Sequence, residues 1–496
     1  MKNPTNWPLI GMLPALLMNL GPQYYDWMTS ILIENGGTFQ FIGPWLWLVG
    51  GSRRQDSLVT ADPRNIEHVL RYNFANYPKG PDFTAIFHDL LGDGIFNADH
   101  DLWRLQRKTA SLHLNSRSCR DFADATIFSA ASRKLLPILR HNSGSSSTVD
   151  FQDLMLRFTF DTISIVAFGI DTRCLSPDLP KVPFAAAFET ALECTSFRFS
   201  TPMMSWKVLR CLGIGWEKNL SNALHEIDAY VQEVVDDRRK AFTSNPDMAS
   251  DLLTCFLRME EGNGGTLKAH DDKFLKDVII NILLAGRDTS ALALAWFFWL
   301  LASHPKVEEK LVQEARHVLL PTNGELPAEH EILHTREKLN QMVYLQAALL
   351  ESLRLYPSVP TDYKYVMSDD VLPDGNQVRK GQQFIYSIYS MGRMESIWGK
   401  DCLLFKPERW LVYNSENSYR LASNVSPFQY TAFNAGPRTC LGKDMAFTLM
   451  KVVVSTILLR YSVVCLPGQE KIVPKLCPTL YIKDGLQVRV QPRQPL

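Results

Sequence analysis

Apolar residues fall at helical spacing over most of this chain. Leu154, Phe158, Ile163 and Val166 fit one core face, as do Ile227, Val231 and Val235, and helical periodicity dominates from Val149 to about Asp251. Gln23–Glu34, Asn65–Leu70 and Asn340–Leu355 also read as helices. The longest apolar stretch is split: Val278–Leu284 and Ala291–Ala302 flank Arg287, Asp288, Thr289 and Ser290. Four polar residues in the middle of a span are costly in lipid, so the pattern predicts one long buried helix from Asp271 to about Ser303 and not a membrane crossing. Lys443–Leu459 reads as another helix, with Met445, Ala446, Leu449 and Val453 as its apolar stripe. Strand signals are few. Thr38–Ile42 and Trp45–Val49 flank Gly43-Pro44 and suggest a hairpin, Val371–Asn376 carries an Asp-Gly turn, Gln383–Tyr389 reads as a strand, and Lys483-Asp484-Gly485 turns into a return strand, Leu486–Val490. The remaining segments, Ser176–Pro183, Ser244–Ala249, Gly262–Gly265 and the Gly-punctuated Asp82–Asn97, read as loops. The expected fold class is mainly α with a small β lobe formed from both ends of the chain.

Composition narrows the function. At 496 residues the chain could hold about three domains. No Gly/Ser linker, charge block or repeat divides it, so the expected organisation is a proline-rich segment, 1–22, followed by a single domain, 23–496. Lys+Arg and Asp+Glu both total 52, which gives no electrostatic reason to bind nucleic acid. The nine cysteines are scattered without a Cys-x-x-Cys pair, which suits a reducing compartment. The N-terminal Trp7–Pro14 is apolar but broken by Pro8, Gly11 and Pro14, and is too short for a span of about 20 residues.

Against this background one stretch carries dense chemistry: Phe433-Asn434-Ala435-Gly436-Pro437-Arg438-Thr439-Cys440-Leu441-Gly442. Cys440 suits the fifth ligand of a haem iron, bound as the thiolate, which favours O–O bond cleavage. Gly436 and Pro437 allow a tight turn, Gly442 permits close backbone approach, Phe433 can shield the sulfur, and Arg438 can meet a haem propionate. A helix beginning just after Cys440 points its positive end at the thiolate. Elsewhere Trp103 and Arg107 are four apart and share a helix face, Ala285-Gly286 frees space on the long helix, and Asp288 beside Thr289 can pass protons to reduced dioxygen. Glu351 and Arg354 can pair at i,i+3. A competing signal is His330-Glu331-Ile332-Leu333-His334, the helical zinc-peptidase pattern, with Glu351 as a conceivable third ligand; its charged, weakly apolar flanks count against it.

The sequence resembles the haem-thiolate monooxygenases, the cytochromes P-450, over essentially its whole length, through the Cys440 signature, Ala285–Thr289, Glu351-Ser352-Leu353-Arg354 and Phe405-Lys406-Pro407-Glu408-Arg409-Trp410. The resemblance implies haem b as cofactor, NADPH used only through a separate NADPH–cytochrome reductase, Trp103 and Arg107 at a haem propionate, Asp288 and Thr289 as the proton-delivery pair, and Arg409 joining Glu351 and Arg354 in a buried structural triad. It also implies residence at the endoplasmic reticulum membrane, cytosolic face, with an N-terminal anchor that this sequence does not show. Arg104, Lys108 and Lys443 could form a basic reductase-docking face. Stretches such as Phe74–Gly80 and Leu355–Pro360 resemble the plant fatty-acid ω-hydroxylases, nearest to the very-long-chain branch, with alkane and specialised-metabolite oxidases as alternatives. For such a substrate the expected channel walls are Phe83, Ile86, Phe87, Phe96, Leu284, Ala285 and Val359.

Overall fold

The computed structural model describes residues 4–21, 23–44, 56–143, 148–201, 203–244, 251–254, 256, 272–321, 334–413 and 419–493. Helices dominate, and they pack around the predicted long one. That helix runs as Asp272–Leu283, a π-turn at Leu284–Asp288, and Thr289–Ala302. Its last segment is buried all round, as an all-apolar helix must be. It is long and apolar enough to cross a membrane by length and composition, but 78% of its most apolar window is buried inside the protein.

The π-turn leaves carbonyls without their regular helical partners, and side chains supply the bonds. Thr159 donates to the Arg287 carbonyl at 2.7 Å, Ser358 to that of Thr289 at 2.6 Å, and Thr289 to that of Ala285 at 2.5 Å. Farther along, the Trp296 indole stacks on Tyr356 at 4.2 Å and donates to the Leu480 carbonyl.

The strands form two main sheets, not one lobe built from both chain ends. The four-stranded sheet orders Thr38–Phe41, Ser57–Thr60, Gln383–Ser387 and Thr361–Tyr365. Thr38–Phe41 thus pairs with Ser57–Thr60; the expected partner Trp45–Val49 lies outside the described residues. The turn at Lys483–Gly485 exists, with Gly485 at φ +70°, but the strand after it, Gln487–Pro492, returns to Tyr461–Cys465 and Val149–Asp150. The preceding segment contributes only an isolated Pro474–Ile482 bridge. The Asp-Gly turn behaves as expected, with Asp370–Val371 against Gln377–Val378. A large apolar core fills the helical part, and a second lies under the four-stranded sheet.

Two helical expectations change. Asp82–Asn97 is mostly helix, Gly80–Leu91, with Pro81 in its first turn. The glycines after it serve a contact: a side chain at Gly92 or Gly94 would collide with Asp277 or Asn281 of the long helix. Asp277 accepts from the Asp93 N–H, and Asn281 accepts from that of Phe96. The helix expected at Asn340–Leu355 is interrupted at Met342, giving Arg336–Gln341 and Val343–Leu355. The loops expected at Ser244–Ala249 and Gly262–Gly265 lie, apart from Ser244, outside the described residues.

Candidate active site

A cavity of about 620 Å³ lies between the long helix and the Cys440 turn. The turn forms as its sequence dictates. Gly436 takes φ +64°, and any side chain there would strike the Leu70 carbonyl. Asn434, at φ +57°, holds its left-handed conformation by accepting from the Ala435 N–H. The Cys440 N–H donates to the Phe433 carbonyl at 2.8 Å, closing the loop. Cys440 lines the cavity, and so do Phe433, Arg438 and Gly442. Burial pushes the thiol pKa up, while the Gly442 N–H, Arg107 and Lys443 oppose it. Helix Lys443–Arg460 starts immediately afterwards and presents its N-terminus to the sulfur. Phe433 packs on Phe447 at 5.0 Å.

Trp103 and Arg107, on helix His100–Leu114, also line this space. Arg107 donates to the Thr439 carbonyl at 2.6 Å. Arg438 lies over the Trp103 ring at 4.6 Å and donates to Asp99 at 2.7 Å. Around this end the sequence reading missed a buried polar group. Lys79 pairs with Asp362; Asp362 also accepts from Tyr386 at 2.6 Å and Asn434 at 3.2 Å and lies 3.6 Å from Lys364. These contacts hold the Asp362 carboxyl far below its usual range despite its burial. Burial lowers Lys364 to about 7. The signal available in sequence was Asp362 and Lys364 alternating with Tyr363 and Tyr365 on a short strand between apolar segments.

This set fits a haem. Lys79, Arg107 and Arg438 line the cavity beside Trp103, and of the carboxylates paired with them only Asp362 lines it too, so cationic side chains predominate where propionates would lie. Arg438, which lines the cavity, has its Nε buried without a hydrogen-bond partner. At Gly442 an added Cβ would meet no protein atom within 4 Å. Gly286 is different: it lines the cavity, but the side chain it lacks would collide with Ile163, so its small size serves helix packing and not cofactor room.

On the long helix Thr289, Ser290, Leu284 and Ala285 line the cavity, whereas Asp288 does not. Asp288 is fully buried and bonded to Arg287 at 2.7 Å and Tyr481 at 2.7 Å. Of the other expected walls, Phe83, Phe87, Phe96 and Val359 line the cavity; Ile86 does not. The Ile86 side chain is partly buried and packs against the helical core instead. The Ile86 carbonyl accepts from Arg198.

The Glu351 site is assembled as expected and carries one addition. Arg354 donates to both carboxylate oxygens at 2.8 Å, and Arg409 to one at 3.2 Å. The Trp410 indole also donates to Glu351, at 2.9 Å, a bond that a phenylalanine in its place could not make. Of the zinc-like motif, residues 330–333 lie outside the described residues. His334 is buried against Phe128, with Nε2 3.1 Å from the Ser455 hydroxyl. Among the described residues no cluster of three His, Cys, Asp or Glu could hold a metal ion.

A mainly helical fold with a cysteine presented on a glycine turn beneath a long helix, beside a cationic pocket, defines a haem-thiolate protein. A family model described as Cytochrome P-450 matches residues 1–485. The chain is 46% identical over 492 residues to Cytochrome P-450 86B1 of Arabidopsis thaliana, covering 98% of this chain and 85% of that one. It is 38% identical over 491 residues to Alkane hydroxylase MAH1 of the same plant, covering 98% and 92%. Noroxomaritidine synthase 2 of Narcissus aff. pseudonarcissus MK-2014 is 37% identical over 492 residues, covering 99% and 91%. The chain belongs to the cytochrome P-450 family and is a monooxygenase. When bound, a thiolate-ligated haem supplies dioxygen reduction and insertion of one oxygen atom into a C–H bond, with NADPH electrons delivered through a reductase.

Proposed function

We infer that this enzyme hydroxylates the terminal carbon of long- or very-long-chain fatty acids. The observation that carries the reading is the cavity's extent and lining. From Cys440 it passes Phe83, Phe87 and Val359 and reaches Leu16 and Leu20 at the N-terminal helix Leu13–Asn19. Most of this surface is apolar, as an acyl chain entering end-on requires. A terminal methyl is harder to oxidise than its neighbour, so selecting it depends on walls that exclude the penultimate carbon. Phe83 and Phe87, 4.8 Å apart, with Phe199 and Tyr363, form such a wall. In this reading Cys440 ligates iron, Trp103, Arg107 and Arg438 hold propionates, Asp288 and Thr289 deliver protons, and the Glu351 triad is structural.

Two further parts of the reading rest on surface features. Leu17 and Met18 are exposed on the helix whose Leu16 lines the channel, which suits a lipid substrate drawn from a membrane surface, the cytosolic face of the endoplasmic reticulum. Arg104, Lys108 and Lys443 are exposed near the Cys440 side and suit reductase docking. A relative named an alkane hydroxylase, together with the apolar lining, supports alkanes as a second substrate class. The test is turnover with reductase and NADPH on saturated acids and alkanes of graded length, with the hydroxyl located by mass spectrometry. Terminal alcohols from acids support the assignment, and Phe87→Ala should then leak product to the penultimate carbon. Mid-chain alcohols, or turnover of alkanes alone, would replace it.

A further inference from the structure

Asp288 has no direct route into the cavity. Its side chain is fully buried and does not line the channel, and burial raises its pKa although Arg287 and Tyr481 oppose this. Thr289, the alcohol beside it in sequence, commits its hydroxyl proton to the Ala285 carbonyl at 2.5 Å. The residue that does bridge the two regions is Thr479, on the segment that crosses the long helix. Thr479 is 3% exposed, lines the cavity with Cys477 and Pro478, and points its hydroxyl at Asp288 Oδ2 from 3.5 Å. The segment is pinned on both sides of it: the Leu480 N–H donates to the Ser358 carbonyl at 2.9 Å, and the Leu480 carbonyl accepts from Trp296 at 2.7 Å.

We propose that Thr479 is a second hydroxyl, beside Thr289, through which Asp288 delivers protons to the cavity, with Tyr481 as the positioning residue that aims the carboxyl at it. The proposal rests on the reading of Asp288 as proton source. Protonated Asp288 gives its proton to the Thr479 oxygen, and the proton already on that hydroxyl passes to an acceptor in the cavity. Thr479 is regenerated as an alcohol, and Asp288 is left as a carboxylate held by Tyr481 and Arg287. No electrons move in this step; they arrive from NADPH through the reductase. Between turnovers the reverse relay, from cavity water, restores the acid. One residue separates Thr479 and Tyr481, so both hydroxyls reach one carboxylate from the same short segment, Tyr481 at 2.7 Å.

The experiment uses the holoenzyme with its reductase. Thr479→Val keeps the volume and removes the relay; Thr479→Ser restores it; Thr479→Ala serves if the valine variant does not fold. Peroxide released per NADPH consumed should rise about tenfold in Thr479→Val, the low end of what a positioned proton-transfer group contributes. It should return towards the wild-type value in Thr479→Ser, with haem content, melting temperature and substrate-induced spectral shift unchanged. The infrared carboxyl band that disappears in Asp288→Asn should shift in Thr479→Val and in Tyr481→Phe. Wild-type peroxide release in Thr479→Val, or a stationary Asp288 band, would overturn the proposal. Peroxide and the infrared band are read with any compound that triggers NADPH consumption. Failure to find terminal alcohols would therefore count against the fatty-acid reading alone.

Discussion

Glu351→Ala is the perturbation with the largest effect expected away from the cavity. The Glu351 carboxylate is 0% exposed and accepts from Arg354 Nε and Nη2, Arg409 Nε, Trp410 Nε1 and the Lys406 N–H. Arg354 is buried as deeply, and its remaining partners are the carbonyls of Gly392, Cys402 and Leu404. Removing the carboxylate leaves that guanidinium hydrogen-bonded but without a countercharge, which costs roughly 3–5 kcal/mol. Arg409 is less affected because Asp401 also pairs with it at 2.9 Å. Trp410→Phe removes only one donor to a charged group, worth about 1.5–3 kcal/mol. The order of stability should therefore be wild type, Trp410→Phe, Glu351→Ala. The assay is thermal melting together with haem content, read from the thiolate-type Soret band of the reduced carbon monoxide complex. Equal melting temperature and haem content in Glu351→Ala would refute the argument; equality in Trp410→Phe alone would show that the indole bond carries no net stability.

Three other perturbations test separate parts of the structure. Cys440→Ala should abolish the thiolate-type Soret band, and retention of that band would remove Cys440 as the ligand. Reversing the charge of Lys108 and Lys443 together should slow NADPH-dependent reduction in a salt-sensitive way while leaving substrate binding intact; unchanged reduction kinetics would move the docking face elsewhere. Burial lowers His334 from 6.5 to about 4, so the unfolded chain binds the extra proton between those values and stability falls as pH drops from 6.5 towards 4. The loss should reach up to about 3 kcal/mol, and a His334→Gln variant should show a flatter melting profile over that range.

Legibility from sequence followed contiguity. The Cys440 turn, the Glu351–Arg354 pair and the long helix are local patterns, and each appears where the spacing put it. What depended on partners was hidden. Phe83 and Phe87 already stood at helical spacing, but Gly92 and Gly94 suggested a loop because their reason, contact with Asp277 and Asn281, lies far away in sequence. The turn at Gly485 was readable, but not that its following strand would choose Tyr461–Cys465. Asp288 and Thr289 are adjacent, yet the helix sends their side chains to opposite environments, because neighbours on a helix point about 100° apart. The Lys79–Asp362–Lys364 group is assembled from two distant segments, and only its burial reveals it.

The segment around Leu480 also bears on when the protein can become complete. Ribosomes deliver the helices that wall the cavity first, and Cys440 and residues 476–482 much later. Until those residues emerge, Asp288 lacks Tyr481, Trp296 lacks the Leu480 carbonyl, and the channel faces of Gly80–Leu91 and Phe151–Phe168 stand open to water. A nascent chain therefore carries an uncovered greasy trough through most of its synthesis, a surface that chaperones bind and that aggregates if left alone. Cofactor capture follows release from the ribosome, and cells short of haem should accumulate this protein first as a chaperone client.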